Sequence, residues 1–188
     1  MHATLDLPSS WVARFAPLIP PGETLDLACG GGRHARLLAS LGHAVVALDR
    51  DPQALARVQE DAPGQGITTF EFDLEAPGAA WPFPDARFAG IVVTNYLHRP
   101  LMAQLARALA PGGVLVYETF AQGNEAFGKP SNPAFLLAPG ELLELARQAG
   151  LRVIAYEDGA NAQPRAARVQ RLCAAAPDFD MAGARLDG

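Results

Sequence analysis

Residues 24–34 combine an acidic side chain with a run of glycines, in an order that suits the binding of a positively charged ligand. The short apolar run Leu25–Ala28 carries Asp26 and leads directly into Gly30–Gly32. Glycines at such a turn let backbone N–H groups approach a ligand closely, because no Cβ holds the ligand off and positive φ is tolerated. A carboxylate beneath the turn repels a pyrophosphate but attracts an ammonium or a sulfonium group. The stretch therefore predicts a site for a ligand that carries positive charge.

Two more carboxylates stand at the ends of apolar runs that predict strands. Asp49 ends the continuous run 44–48, and Asp73 ends the alternating run 67–72. The carboxyl ends of strands in open α/β sheets line the ligand crevice, so we expect Asp49 to accept two ribose hydroxyl groups. Asp73 and Leu74 are expected to offer an adenine an acceptor for its amino group and an apolar wall.

Polar side chains beyond the fourth predicted strand are candidates for the substrate side. His98 follows that strand at the start of a helix and is the best-placed general base, which is needed only for an acceptor that is protonated at neutral pH. Tyr96 and Glu118 are alternatives that could orient an acceptor. Asn95 is a candidate polar contact to the cofactor or substrate. A capping or surface histidine and a turn asparagine are the competing structural interpretations.

The elements that position these groups alternate between strand and helix. Strands are predicted at 25–28, 44–48, 67–72, 89–94 and 114–117. Amphipathic helices are predicted between strands, where a glycine turn or a proline after a strand marks the start of the helix. This alternation predicts an α/β fold with one doubly wound, mostly parallel sheet. Two further strands, 151–156 and 165–173, have no helix between them and must pair antiparallel or lie apart.

Two segments fall outside this alternation. A helix over residues 8–18, capped by Ser9 or Ser10, forms an N-terminal helical cap within residues 1–22 that either covers the cofactor mouth or packs on the sheet. Residues 119–138 form a long loop without periodicity that contains three phenylalanines. We expect this loop to be a substrate-side lid, with an ordered loop that completes the core as the alternative.

Bulk composition narrows the class of protein. A chain of 188 residues favours one domain, residues 1–188, and a net charge of −5 argues against a surface that coats nucleic acid. Cys29 and Cys173 lie far apart and give neither metal-ligand spacing nor a disulfide framework. No apolar run approaches the roughly 20 residues of a membrane span. We therefore expect a cytoplasmic protein that holds no metal. Its substrate is expected to be a small molecule rather than a nucleic acid, and no membrane association is expected. The sequence leaves the oligomeric state open.

Four stretches together resemble the class I S-adenosylmethionine (SAM)-dependent methyltransferases, over about residues 24–173. They are Asp26-Leu-Ala-Cys-Gly-Gly-Gly32, Leu48-Asp49, Phe72-Asp73-Leu74 and Leu109-Ala-Pro-Gly-Gly-Val-Leu-Val-Tyr117. These are similar in turn to the first motif, the ribose-binding acid, the adenine-binding stretch, and the turn (at Ala110 to Gly113) and strand that precede the substrate side. The resemblance implies SAM as the cofactor, with Asp26 near its methionine amino group, and a seven-stranded sheet whose last strand is antiparallel.

The function implied is transfer of a methyl group to a small-molecule acceptor by in-line displacement. The catalytic candidates are His98 and Tyr96. The cofactor-binding candidates are Asp26, Ala28, Cys29, Gly30, Gly32, His34, Asp49, Arg50, Asp73, Leu74 and Asn95.

The sequence departs from the family pattern at several positions. Ala28 stands where the first motif commonly has glycine, which is a mild change if the backbone there is extended. Ala89 replaces an acidic residue that often follows the phenylalanine before the fourth strand. Residues 95–98 lack the Asn-Pro-Pro-aromatic signature of enzymes that methylate nucleobase amino groups. Among subfamilies, the size of the chain and the region after strand four are most similar to the tellurite-resistance and small-molecule methyltransferases.

Two other functions are compatible with part of the pattern. An NAD-type oxidoreductase also uses Gly30-x-Gly32-x-x-Ala35 and Asp49, but it leaves Asp26 and Asp73 unexplained. This chain also lacks a Tyr-x-x-x-Lys pair, since its one lysine, Lys129, has Phe127 rather than a tyrosine among the four residues before it. A protein that binds SAM without transferring the methyl group is the second alternative.

Overall fold

The computed structural model describes residues 7–163 and 165–184, in which seven strands form one sheet. The strands are β1 (Glu23–Leu27), β2 (Ala44–Asp49), β3 (Ile67–Glu71), β4 (Phe88–Thr94), β5 (Leu109–Phe120), β6 (Arg152–Asn161) and β7 (Ala167–Ala175). Their order is β3-β2-β1-β4-β5-β7-β6, with β7 antiparallel to both of its neighbours and the other pairs parallel. The predicted α/β fold, mostly parallel with a reversed last strand, is confirmed.

Within the described ranges, five α-helices cover the two faces of the sheet. They are α1 (Ser10–Phe15), α2 (Arg33–Ser40), α3 (Pro52–Asp61), α4 (Met102–Ala108) and α5 (Glu141–Gln148). The expected cap at Ser9 forms, since its hydroxyl accepts from the N–H of Trp11. Asp51 caps α3, with Pro52 at the first helical position. Residues 1–6 of the predicted N-terminal cap, and residues 185–188 of the predicted domain, lie outside the described residues. No helix in the described ranges is long and apolar enough to cross a membrane.

The core consists of two apolar layers, one on each face of the sheet. Alternate residues of one strand enter opposite layers, as Ile91 and Val92 do in β4, so the central strands are apolar throughout. Trp11 of α1 lies in the layer beneath α1, α2 and α3. Trp81 packs against the other layer, beside Phe83. The two tryptophans of the chain are therefore divided between the two layers.

The start of β5 corrects one sequence-based expectation. The run from Ala110 to Gly113 was expected to be a turn, with the strand starting at Val114, but β5 begins at Leu109 and includes the whole run. A bulge makes this possible, because the register with β4 shifts between Phe88 and Gly90. A Cβ on Gly113 would lie 2.8 Å from the carbonyl oxygen of Ala110, so glycine is needed at this close approach.

Candidate functional site

The turn after β1 is held by backbone hydrogen bonds and by one carboxylate. The N–H of Gly30 donates to Asp49 Oδ2 at 2.7 Å, and the N–H of Asp51 donates to Asp49 Oδ1 at 3.0 Å. The N–H of Cys29 donates to the carbonyl of Leu48 at 2.9 Å. Asp49 therefore ties the glycine turn to the end of β2, a contact that the sequence did not indicate.

The replacement of glycine by Ala28 would be a mild change only if the backbone there were extended. The backbone is not extended, so this expectation is wrong. Its φ is 55°, and Gly30 and Gly32 that follow have φ of 52° and 72°. The left-handed conformation costs a residue with a Cβ roughly 1–2 kcal/mol. The turn thus holds one strained alanine between the end of β1 and its glycines, as is common where a backbone is shaped for a ligand.

Asp26 lies within β1, behind the glycine turn, and is 1% exposed. Its Oδ2 accepts the N–H of Ala35 in the first turn of α2 at 2.8 Å. Its Oδ1 is buried and has no hydrogen-bond partner among the described residues. Burial raises the pKa of this carboxyl group to about 7, although the hydrogen bond from Ala35 and the charges of Arg33 and Arg36 partly offset the effect. An ammonium group, or a water that bridges to one, would satisfy the free oxygen.

Three adjoining cavities open at the carboxyl ends of the central strands. The β2 cavity, of about 210 Å³, is lined by Ala28, Leu48, Asp49, Arg50, Phe72, Asp73, Leu74, Glu75 and Tyr96. The glycine cavity, of about 280 Å³, is lined by Ala28, Cys29, Gly30, Gly31, Arg33, Arg36, Thr94 and Asn95. The aromatic cavity, of about 240 Å³, is lined by Glu75, Asn95, Tyr96, Leu97, Thr119, Phe120, Pro130 and Phe135. Each cavity shares lining residues with the other two, so they form one crevice.

Most of the residues singled out from the sequence line this crevice. Those that do are Ala28, Cys29, Gly30, Asp49, Arg50, Asp73, Leu74, Asn95 and Tyr96. Asp26, Gly32, His34 and His98 do not line any of the three cavities. Gly32 is the N-cap of α2, and His98 is half-buried after β4. The role of His98 as a base stays a prediction.

His34 is buried and is fully engaged by the protein. Its Nε2 accepts the N–H of Ser9 at 3.1 Å, so the ring proton must lie on Nδ1, which faces Thr94 Oγ1 at 3.3 Å and donates to it. Burial lowers the pKa of His34 to about 3, and the ring is neutral at pH 7. His34 therefore reaches the glycine cavity only through Thr94, a lining residue that sequence reasoning missed.

Tyr96 and Glu75 stand where the β2 cavity meets the aromatic cavity. Burial first, and then the charge and hydrogen bonding of Glu75, raise the pKa of Tyr96, so this side chain stays a phenol at neutral pH. The hydroxyl of Tyr117 donates to the carbonyl of Tyr96 at 2.9 Å and fixes its backbone. Glu75 was also missed, although a second carboxylate two residues after Asp73 was the available signal.

Glu118, the other residue expected to orient an acceptor, lies elsewhere. It is buried and paired with Arg171, its register partner in β7, which also binds Glu157 at 2.9 Å. This cross-strand ion pair accounts for the carboxylate, and Glu118 does not line the crevice.

Residues 119 and 120 of the predicted loop belong to β5, and the loop that follows them, up to residue 138, is ordered and anchored at both ends. A β-bridge joins Ala121 to Leu137, and Leu137 is fully buried. Inside the loop, the buried Asn124 donates to the carbonyl of Pro130 at 2.9 Å and accepts the N–H of Arg168 at 3.0 Å. The segment is therefore tied to β7 at its first half.

The second half of this segment is held by Arg99. Its guanidinium donates to the carbonyls of Ala134 and Leu136 at 2.8 and 2.9 Å, while pairing with Glu141 of α5 at 2.6 Å. Between those carbonyls, Phe135 is 48% exposed and lines the aromatic cavity. Phe127 is similarly exposed, at 43%, but lines none of the three cavities. The loop thus forms one wall of the aromatic cavity.

Comparison with known proteins identifies relatives of this chain. A family model described as a methyltransferase domain matches residues 24–113. An uncharacterized methyltransferase of Synechocystis is 32% identical over 158 residues, which are 72% of this chain and 70% of that protein. Trans-aconitate 2-methyltransferase of Methylobacterium nodulans is 35% identical over 59% of this chain, and ribosomal protein L11 methyltransferase of Xylella fastidiosa is 34% identical over 66%. The chain spans 43% and 41% of the lengths of these last two proteins.

Solved structures share the fold. TehB from Haemophilus influenzae superposes with a TM-score of 0.74 at 20% identity, over 89% of this chain and 62% of that one. A SAM-dependent methyltransferase from Mesorhizobium loti superposes with a TM-score of 0.70, also at 20% identity, over 88% of this chain and 96% of that one. At this level of identity the likeness concerns the arrangement of strands and helices.

Proposed function

Because the chain belongs to the class I SAM-dependent methyltransferases, we propose that it transfers the methyl group of SAM to a small-molecule acceptor held in the aromatic cavity. The observation that carries this proposal is the continuity of the three cavities, which share Ala28, Asn95 and the Glu75–Tyr96 pair. A cofactor that occupied the β2 and glycine cavities would pass Ala28, which lines both, and the aromatic cavity adjoins each of them, at Glu75 and Tyr96 on one side and at Asn95 on the other.

The residues present fit SAM. Asp49 would accept the ribose hydroxyls, and Phe72, Asp73 and Leu74, which line the same cavity, would hold the adenine. In the glycine cavity, the hydroxyl of Thr94 accepts from His34 and keeps its own proton for a ligand acceptor such as a carboxylate. The unpartnered Oδ1 of Asp26 supplies negative charge behind the turn for an ammonium group.

SAM, when bound, supplies a methyl group that is already activated on a positively charged sulfur. The chain's task is to hold the acceptor in line with that group, and such positioning can supply on the order of 7–11 kcal/mol. Tyr96 remains a phenol and serves as a hydrogen-bond donor rather than as a base. Phe120 and Phe135 exclude water from the acceptor.

The size of the aromatic cavity supports a small acceptor. Its volume is about 240 Å³, and the anchored loop 119–138 forms one wall. A protein acceptor is the competing possibility, since some relatives are named for ribosomal protein L11. A cytoplasmic location, expected from the sequence, stays a prediction.

The test is to incubate the protein with methyl-labelled SAM and separated small-molecule, protein and RNA fractions of a cell extract. We expect label in the small-molecule fraction. Label confined to protein or RNA would contradict the proposal, as would tight RNA binding that weakens steeply with salt.

Replacing Asp49 by alanine is expected to weaken binding of the demethylated cofactor, S-adenosylhomocysteine (SAH), by about 1–3 kcal/mol, because ribose hydroxyls lose their acceptor. Alanine also releases the N–H of Gly30, so Asp49→Asn, which keeps one acceptor oxygen, should lose less. Calorimetry with SAH measures both. Asp51→Asn is the matched control, since it removes a neighbouring charge but remains a good helix cap. An unchanged dissociation constant for Asp49→Ala would rule out this role for Asp49.

We propose that loop 119–138 acts as the substrate-side lid, and Phe135 is the residue that tests it. Phe135→Ala should lower methyl transfer to the small-molecule fraction about tenfold or more, while SAH affinity stays within a few-fold. Phe127→Ala, on an equally exposed side chain of the same loop, should change neither quantity. These point variants preserve Asn124, which a deletion of the loop would remove. Equal effects of the two substitutions would mean that the loop has only a structural role.

A further inference from the structure

The three cavities differ in the charges that line them, and Asp49, Asp73 and Glu75 accompany the one basic side chain that the structure describes in the β2 cavity. Arg33 and Arg36 line the glycine cavity, and Arg50 lines the β2 cavity. Among the described residues that line the aromatic cavity, Glu75 is the one charged side chain, and none is basic. The basic side chain that holds the cavity wall, Arg99, is committed to Glu141 and to two backbone carbonyls.

Aromatic rings accompany this carboxylate. Tyr96, Phe120 and Phe135 line the same cavity as Glu75, and Leu97 and Pro130 complete its apolar walls. The faces of aromatic rings attract organic cations, most strongly where water is excluded. A carboxylate or phosphate group would meet Glu75 with no lining cation to balance it. The cavity therefore favours a ligand with a positively charged nitrogen and some apolar surface.

We propose that the acceptor is a small organic amine, bound as its ammonium ion between Glu75 and the aromatic rings, and methylated on nitrogen. This inference rests on the proposed transfer to a small molecule and names the chemical class of that molecule.

The reaction balances with the groups at hand. The bound ammonium first gives one proton to the Glu75 carboxylate, directly or through water, and becomes a neutral amine. The nitrogen lone pair then forms the new N–C bond as the S–C bond breaks, and the electron pair of that bond stays on sulfur. The products are SAH and an N-methylammonium ion, and the proton on Glu75 passes to solvent. Glu75 is exposed at the mouth of the cavity, so this last step has a route.

Binding of three matched probes to the SAH-loaded protein tests the class of acceptor. Benzylamine, benzyl alcohol and benzoate present the same ring with a cationic, a neutral and an anionic group. We expect benzylamine to bind at least about tenfold more tightly than benzyl alcohol, and benzoate to bind most weakly. Equal binding of the three probes, or a preference for benzoate, would overturn the inference.

Two variants assign the preference to Glu75. Glu75→Gln should weaken benzylamine binding about tenfold and leave benzyl alcohol within about twofold, because only the charge is removed. Glu71→Gln, which neutralises an exposed carboxylate on β3 outside the three cavities, should leave both probes unchanged. If Glu75→Gln keeps the preference for benzylamine, Glu75 is not the recognition element and the inference fails.

The chemistry of the labelled products separates this inference from the proposed function. Labelled small molecules that bind a cation exchanger and survive mild alkali are N-methyl products, as we expect. Alkali-labile methyl esters or neutral methyl ethers would refute the amine while leaving small-molecule transfer intact. Label found only in protein would refute both, including the case of a protein lysine as the amine.

Discussion

Gly32→Ala is expected to lower the free energy of unfolding by about 2–5 kcal/mol, whereas Gly31→Ala should change it little. Gly32 has a φ of 72°, which costs a residue with a Cβ roughly 1–2 kcal/mol. Its Cβ would also lie 2.6 Å from Val58 Cγ2 on α3, and overpacking of this kind costs about 1–3 kcal/mol more. At Gly31 no heavy atom lies within 4 Å of the added Cβ, and φ is not in the left-handed region. Urea unfolding of the two variants measures the difference.

A double-mutant cycle with Val58→Ala separates the two costs. Val58 is buried, so its truncation alone destabilises the protein. Combined with Gly32→Ala, it should cost less than the sum of the single changes, because the clash is removed. Strict additivity would show that the clash does not exist and that α2 and α3 lie farther apart than described.

Asp26→Asn is expected to stabilise the protein increasingly as pH rises. The folded-state pKa of Asp26 is raised from 3.8 to about 7, so the native state holds a proton that the unfolded chain releases over this interval. Stability from this group is therefore complete below about pH 4 and lost as pH rises to about 7. Asparagine does not titrate, so the stability of Asp26→Asn relative to the parent should increase by about 3 kcal/mol between about pH 5 and pH 8.

Urea unfolding at several pH values gives this difference directly. His34, whose pKa is lowered to about 3, contributes stability above about pH 6.5 that is lost as pH falls, but it is present in both proteins and cancels. Arg33, Arg36 and Asp49, whose charges act on Asp26 in the parent, are present in both proteins. A difference that does not vary with pH would show that Asp26 is ionised throughout this range.

The same variant tests the proposed contact with the methionine ammonium group. If that group approaches Asp26, SAH binding near pH 6.5 should release protons from the parent protein and not from Asp26→Asn. Calorimetry in buffers of different ionisation enthalpy detects the release. The variant is then more stable and binds SAH less tightly, a combination that simple damage to the fold cannot produce.

The parts of the fold and site that the sequence predicted are those specified by short stretches of chain. Asp51-Pro52 starts a helix by local capping, and the apolar runs around Val46 and Ile91 can form only buried strands. The parallel order of the strands then brings their carboxyl ends together. Asp49 and Asp73, at the ends of two such strands, therefore line one crevice as expected.

What the sequence could not predict depends on contacts between distant residues. His34 is held by Ser9 and Thr94, which are 25 and 60 positions away, and nothing in residues 30–36 indicates either partner. The position of Glu118 at the end of an apolar run is typical of a substrate-side carboxylate, but its partner is Arg171, which lies opposite in β7 and 53 positions away. The bulge in β5 arises from pairing with β4, so the local signal of Pro111 and its glycines indicated a turn.

The division of the two tryptophans between the core layers gives each layer its own fluorophore. Trp11 donates its indole N–H to the carbonyl of Leu172 at 3.3 Å on one side of the sheet, and Trp81 stacks edge-on to Phe83 on the other. Removing one indole at a time would therefore yield two emission signals, each confined to one side. Since both layers are built on the same strands, cooperative unfolding requires the two signals to share a midpoint. Separate midpoints would mean that one side of the sheet can lose its packing while the other retains it.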